Sequence, residues 1–158
     1  MRDNKLRSLW AANKKAVNGW LAIPDSFAAE VMALQGYDTL TIDLQHGLID
    51  TRVLVPMLQA IQSTPTMPMV RVPWLEPGVI MKTLDAGAQA LICPMVNTRE
   101  EAQRLVQYAR YAPLGARSFG PVRAGLVHGA DYAEAANADT VVFAMIETAQ
   151  ALDNLDAI

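Results

Sequence analysis

The sequence predicts an α/β fold, a (β/α)8 TIM barrel of which this chain covers about the first five βα units. Three observations lead there. Short apolar runs alternate with longer amphipathic segments, the pattern of a parallel sheet with right-handed helical crossovers. The turn after the first run reads IPDSF, without the G-x-G-x-x-G that a dinucleotide-binding open sheet places there. Side chains able to do chemistry stand at the C-terminal ends of successive strands, where a barrel keeps its active site: Asp43 and His46 at the second, Arg71 on the third and Glu147 at the fifth.

The N-terminal stretch MRDNKLRSLWAANKK puts Leu6, Leu9, Trp10 and Asn13 at helical spacing, so an amphipathic helix of the mature fold is expected. It is charged throughout and lacks the apolar core of a secretory signal. Val17 to Ala22 is the first strand. Asp25 or Ser26 caps a helix whose buried face is expected to hold Phe27, Val31 and Leu34, and Gly36 suits the left-handed position that stops it. Thr39 to Asp43 is the second strand. Asp50 caps the helix carrying Val53, Met57, Leu58 and Ile61. Met67 to Val72 is the third strand; Pro77 opens a helix with Ile80, Met81 and Leu84 inward, ended by Gly87.

Ala90 to Cys93 is the fourth strand, and Thr98-Arg99-Glu100-Glu101 fits a capping box at the start of a helix through Leu105 and Tyr108. A long loop from Pro113 to about Gly129 follows; loops of that length are usually functional or mobile. A short helix near Ala130 to Ala136, a fifth strand from Thr140 to Ile146 and the start of a helix over Ala149 to Ile158 complete the chain.

Residues 1–158 therefore read as the N-terminal part of one barrel domain, with the C-terminal strands absent. A full barrel takes eight strands and about 250 residues. Five strands leave two open edges with unpaired backbone groups. A truncated piece of a longer enzyme is the preferred expectation, and a second chain that supplies the remainder is the alternative.

Composition narrows the function. A formal charge of −3, with Lys and Arg scattered, argues against a nucleic-acid partner. No run approaches the roughly 18 apolar residues of a membrane span, and the expected location is the cytoplasm. The one cysteine, Cys93, lies in the apolar run LICPM and reads as a buried structural thiol.

Each candidate residue has two readings. His46, just past a strand end, is a general acid or base or else an exposed loop histidine. Arg71 alternates with Val70 and Val72 and so points to the opposite face. It needs an anionic partner there, either a core carboxylate such as Asp85 or Glu147 or the carboxylate or enolate of a substrate. Glu147 follows the apolar run VVFAMI and is either a ligand to a metal or cation or a favoured first-turn residue of the next helix. Asp85 in KTLDAGAQ has the pattern of a surface helix residue. His128 reads as a surface or lid residue. Arg117 and Arg123 flank a glycine-rich loop that either covers a substrate or is simply solvated.

The segments DLQHG (43–47), MVRVPW (69–74), KTLDAGAQALICPMVNTREEA (82–102), YAPLGARSFG (111–120) and IET (146–148) occur in an order and spacing that resemble the HpcH/HpaI aldolase/citrate lyase family. The resemblance covers the whole chain and is strongest to the class II pyruvate aldolases, including 4-hydroxy-2-oxoheptanedioate and 2-keto-3-deoxy-rhamnonate aldolases. It implies a homohexamer of swapped dimers and a metal-dependent reversible aldol cleavage of 4-hydroxy-2-oxo acids into pyruvate, or a related 2-oxo acid, and an aldehyde. By the same resemblance His46 is the catalytic histidine, poised by Asp85 through a water. Arg71 holds the 2-oxo acid and stabilises its enolate. Glu147 is a direct ligand of Mg²⁺, Mn²⁺ or Co²⁺, and Asp43 reaches that metal through water.

Departures accompany the resemblance. Gln45 stands where the family usually has Glu, and Met145 where it usually has Gln. The second direct metal-ligand aspartate falls beyond Ile158. A citrate-lyase-β or malyl-CoA-type lyase is the alternative within the superfamily, and a non-catalytic barrel fragment needing a partner chain is the alternative outside it.

Overall fold

Every apolar run expected as a strand pairs with the next one along the chain. The computed structural model describes residues 4–158; the first three residues of the expected N-terminal helix lie outside them. The strands are β1 (Asn18–Leu21), β2 (Thr39–Asp43), β3 (Met67–Arg71), β4 (Ala90–Cys93) and β5 (Val141–Ala144). All pairings are parallel, in the order β1-β2-β3-β4-β5. That order never reverses, whereas a doubly wound sheet needs a reversal at its switch point. With right-handed crossovers, an unreversed order puts the connecting helices on one face, which is the arrangement of barrel strands.

The helices are α1 (Lys5–Ala11), α2 (Ser26–Ala33), α3 (Thr51–Gln62), α4 (Pro77–Asp85), α5 (Arg99–Ala109), α6 (Val122–His128), α7 (Tyr132–Asp139) and α8 (Ala149–Asp153). Their starts follow local side-chain chemistry. Asp25 accepts from the Ala28 N–H, Asp50 from those of Arg52 and Val53, and Thr98 from that of Glu101. Gly36 and Gly87 hold φ of +86° and +105°, the left-handed backbone expected at those two stops.

The strand pleat sorts side chains between two faces. Leu40, Ile42, Val70, Val72, Leu91 and Cys93 pack against Ala29, Leu58, Ile61, Ile80, Leu84 and Leu105 of the covering helices. Met67, Met69, Ala90 and Val141 form a smaller cluster on the other face with Leu6 of α1. Asn4, just before α1, donates to the carbonyls of Gln89 and Asp139 at 3.2 and 2.9 Å, which seats α1 at the N-terminal end of the strands. Cys93 is fully buried, and burial, helped by the charge of Glu101, pushes its thiol up to about 12. It is a core residue, as its sequence context predicts.

Three expectations are corrected. Phe27, Val31 and Leu34 do not form the buried face of α2; they are 72%, 43% and 68% exposed, and Ala29 and Ala33 face α3 instead. Small residues let α2 approach its neighbour closely, and periodicity cannot say which stripe of a mostly apolar helix turns inward. The stretch from Pro113 to Gly129 is not one open loop: it contains α6, and Arg117 is buried within it. His128 is buried, not a surface residue; its ring stacks on Tyr132 and its Nε2 lies 3.2 Å from the Gly87 carbonyl. Among the described residues no helix is long and apolar enough to cross a membrane.

Candidate active site

Asp43 and Arg71 are register partners at the C-terminal ends of β2 and β3, so their side chains leave the same face side by side. Arg71 Nε donates to Asp43 Oδ1 at 2.9 Å and Nη2 to Oδ2 at 2.6 Å, a bidentate pair. The indole N–H of Trp20 donates to Oδ2 at 3.2 Å, and the Arg71 guanidinium lies 4.8 Å from the Trp20 ring. The backbone N–H groups of Gln45 and His46 donate to Oδ1 at 3.0 and 3.3 Å. Burial by itself pushes the Asp43 carboxyl up. The hydrogen bonds from Arg71, Trp20, His46 and Gln45 outweigh it and hold the group well below the usual carboxylate range. The same hydrogen bond raises Arg71, opposed by burial, and the charges of Asp43 and Glu147 raise it further.

The partner of Arg71 is therefore Asp43, neither Asp85 nor Glu147 as a core carboxylate. Both Asp43 oxygens already accept from protein donors, so its work in this structure is to hold Arg71 and the turn after β2. Arg71 keeps N–H groups that Asp43 does not engage. They stand at the C-terminal rim, within electrostatic reach of Glu147.

The turn after β2 is tight. Leu48 N–H donates to the Ala22 carbonyl at 3.0 Å, tying the turn to the end of β1. A Cβ at Gly47 would lie 2.3 Å from the Asp43 carbonyl and 3.2 Å from the Ala22 Cα. Both are backbone atoms that cannot swing aside. Gly47→Ala is expected to destabilise the fold by about 1–3 kcal/mol, as overpacking does, and a denaturant midpoint measures it. The imidazole of His46 is exposed and makes no hydrogen bond among the described residues.

Glu147, past β5, is exposed, and its Oε1 accepts from the Met95 N–H at 2.8 Å. Met95 holds φ of +57°, uncommon for a residue with a long side chain. The structure thus gathers Asp43, Arg71, the His46 turn and Glu147 at one end of the sheet. Among the described residues no group of three or more His, Cys, Asp or Glu could hold a metal ion. Glu147 offers a hard oxygen donor of the kind a divalent ion takes, but alone it does not make a metal site.

Asp85 is elsewhere. It ends α4, which runs back along β3 for nine residues, a rise of roughly 13 Å. It therefore sits by the start of β4, at the opposite end of the sheet from His46. There it pairs with Arg117 at 2.5 Å. Arg117 is fully buried, donates to the Tyr132 hydroxyl and lies over the Tyr111 ring at 4.4 Å. Within one chain, the expected pairing of His46 with Asp85 is not formed.

The sequence reading missed Trp20 and the Met95–Thr98 turn. Period-two alternation could have found Trp20, because buried Gly19 and Leu21 flank it and place it on the Arg71 face. The Met95 conformation carries no such signal, since neither a glycine nor an asparagine stands there.

The family model described as HpcH/HpaI aldolase/citrate lyase matches residues 19–158. The chain is 46% identical over 155 residues to a hydroxypyruvate/pyruvate aldolase of Rhizorhabdus wittichii, covering 98% of this chain and 62% of that protein. It is 34% identical over 157 residues to a 5-keto-4-deoxy-D-glucarate aldolase of Escherichia coli, covering 98% and 61%. The crystal structure of an HpcH/HpaI aldolase/citrate lyase family protein from Burkholderia cenocepacia superimposes with a TM-score of 0.89 at 33% identity, over 98% of this chain and 64% of that one. The chain thus spans about three-fifths of the length of the curated relatives it matches.

Proposed function

Given that the chain belongs to the HpcH/HpaI aldolase/citrate lyase family, we propose that it is part of a carbon–carbon lyase that reversibly cleaves 4-hydroxy-2-oxo acids to pyruvate, or a related 2-oxo acid, and an aldehyde. The fold proposed for the whole is an eight-stranded barrel, of which these five strands are one sector; their unreversed order and the greater length of the relatives support it. A cytoplasmic homo-oligomer, a hexamer by family resemblance, is part of the same reading. The exposed apolar stripe of Phe27, Val31 and Leu34 supports further elements or subunits packing there.

The observation that carries the reaction is the Asp43–Arg71 pair at the strand C-termini. Arg71 held at two points presents its remaining N–H groups in a fixed direction. Such groups suit a 2-oxo acid carboxylate in the ground state and the enolate oxygen as charge develops. His46, exposed beside that pair, is the group proposed to move the proton, since an imidazole can both accept and donate one. Glu147 is proposed as one ligand of a divalent ion, Mg²⁺, Mn²⁺ or Co²⁺, whose other ligands the described residues do not supply. Such an ion, when bound, would stabilise enolate charge. Asp85 contacts His46 in no single chain, so its proposed part as a poising group for His46 requires a second copy to bring it there.

Exchange of pyruvate methyl protons into D₂O, with added Mn²⁺, tests enolisation without choosing an aldehyde. The full-length enzyme that carries this chain is expected to catalyse it, and His46→Ala to slow it about 100-fold or more. Undiminished exchange in that variant would remove His46 from the chemistry; no exchange in the unaltered enzyme would remove the reaction itself.

A further inference from the structure

We propose that Asn97 is a positioning residue for Glu147, acting as a latch between the β4–α5 turn and the β5–α8 turn. The orientation of Glu147 depends on the Met95 N–H that holds its Oε1 at 2.8 Å. Met95 itself holds a left-handed backbone, φ +57°, which turns the chain from the end of β4 toward Asn97 and α5. Asn97 is what secures it. Its Nδ2 donates to the Met95 carbonyl at 2.8 Å, and its own N–H donates to Glu101 Oε2 at 2.7 Å. The expected capping box of α5 is thereby displaced by one residue: Thr98 caps as predicted, but Glu101 reaches back to Asn97 rather than to Thr98.

The other two polar groups of Asn97 cross to the neighbouring turn. Its Oδ1 accepts from the Thr148 hydroxyl, and its carbonyl accepts from Asn154 Nδ2 at 2.8 Å. Thr148 directly follows Glu147 and caps α8 through the Ala151 N–H at 3.0 Å. Two consecutive residues of the β5–α8 turn are thus gripped by one short segment, Glu147 through Met95 and Thr148 through Asn97. An amide side chain is needed because it must donate to one turn and accept from the other at once. The inference that the carboxylate so held serves the reaction rests on the proposed function; the latch itself rests on the geometry.

The test uses protein labelled with ¹⁵N-methionine, in which the Met95 amide is identified by its loss in Met95→Leu. In the unaltered chain the Met95 amide should exchange slowly with solvent and resonate downfield, as a donor to a carboxylate does, and Glu147→Ala should remove both features. Asn97→Ala should speed that exchange at least 10-fold and move the amide proton upfield. It should also slow pyruvate proton exchange about 10- to 100-fold, the range seen when groups that orient metal ligands are removed. Asn97→Asp keeps the acceptor for Thr148 but cannot donate to Met95, so it should behave like Asn97→Ala; it serves if the alanine variant does not fold. Thr148→Ser should retain unaltered behaviour.

An Asn97 variant with an unchanged Met95 amide overturns the latch. A released amide with undiminished pyruvate exchange overturns the positioning role. Absence of pyruvate exchange in the unaltered full-length enzyme counts against the proposed function instead, and the amide measurement still decides the latch.

Discussion

Arg71→Ala in the full-length enzyme is expected to slow pyruvate proton exchange about 100- to 1,000-fold, the cost of removing a preorganised donor from a developing oxyanion. The basis is the two-point grip of Asp43 on Nε and Nη2, which fixes where the remaining guanidinium N–H groups lie. Arg71→Lys should not rescue the activity. An ammonium is a single point of charge and cannot span both Asp43 oxygens while still serving a substrate. A lysine variant with near-normal exchange would show that charge alone suffices and would overturn the orientational argument. The variants also bear on Asp43: without its strongest hydrogen-bond donor, its carboxyl should rise toward the ordinary range, visible as an acid limb of stability shifted to higher pH.

Asp43→Ala is expected to be the most destabilising single change at this rim, about 3 kcal/mol. Removing one member of a buried ion pair strands the other. The Arg71 and Asp43 side chains retain only 13% and 3% exposure, so water cannot take over. The loss should lower the melting temperature by roughly 6–12 °C for a chain of this size. Its pH dependence has a definite sign. The folded Asp43 carboxyl lies below its ordinary value of 3.8, so the unfolded state takes up the proton first as pH falls. The contribution is therefore full above about 4 and fades as pH drops through the folded value. The stability gap between the unaltered protein and Asp43→Ala should be widest near neutrality and narrow below pH 4, by urea titration at several pH values. A gap that widens on acidification would contradict the assignment of the shift.

Legibility in the sequence followed the range of the interactions concerned. The five strands lie where the apolar runs put them, within two residues at each end. Asp25, Asp50 and Thr98 cap the helices expected of them, because a cap is set by side chain and backbone within three residues. The turn at Gly36 is equally local. His128 was different: Gly129 and Ala130 follow it directly and suggest a turn, yet Gly87 and Tyr132 close over it. Arg117 likewise sits in a run of turn-forming residues, and only its ion pair with Asp85 and the rings of Tyr111 and Tyr132 make its burial tolerable.

What the sequence by itself determined is the alternation of strands and helices, and with it the placing of Asp43, His46, Arg71 and Glu147 at strand C-termini. These follow from side-chain periodicity and from turns a few residues long. What only the tertiary structure decided is who pairs with whom. Sheet register put Asp43 opposite Arg71, the return of α4 carried Asp85 to the far end beside Arg117, and close packing on α3 turned Phe27, Val31 and Leu34 outward. Such pairings join residues distant along the chain, and their partners are chosen by how whole strands and helices pack, which no local pattern records.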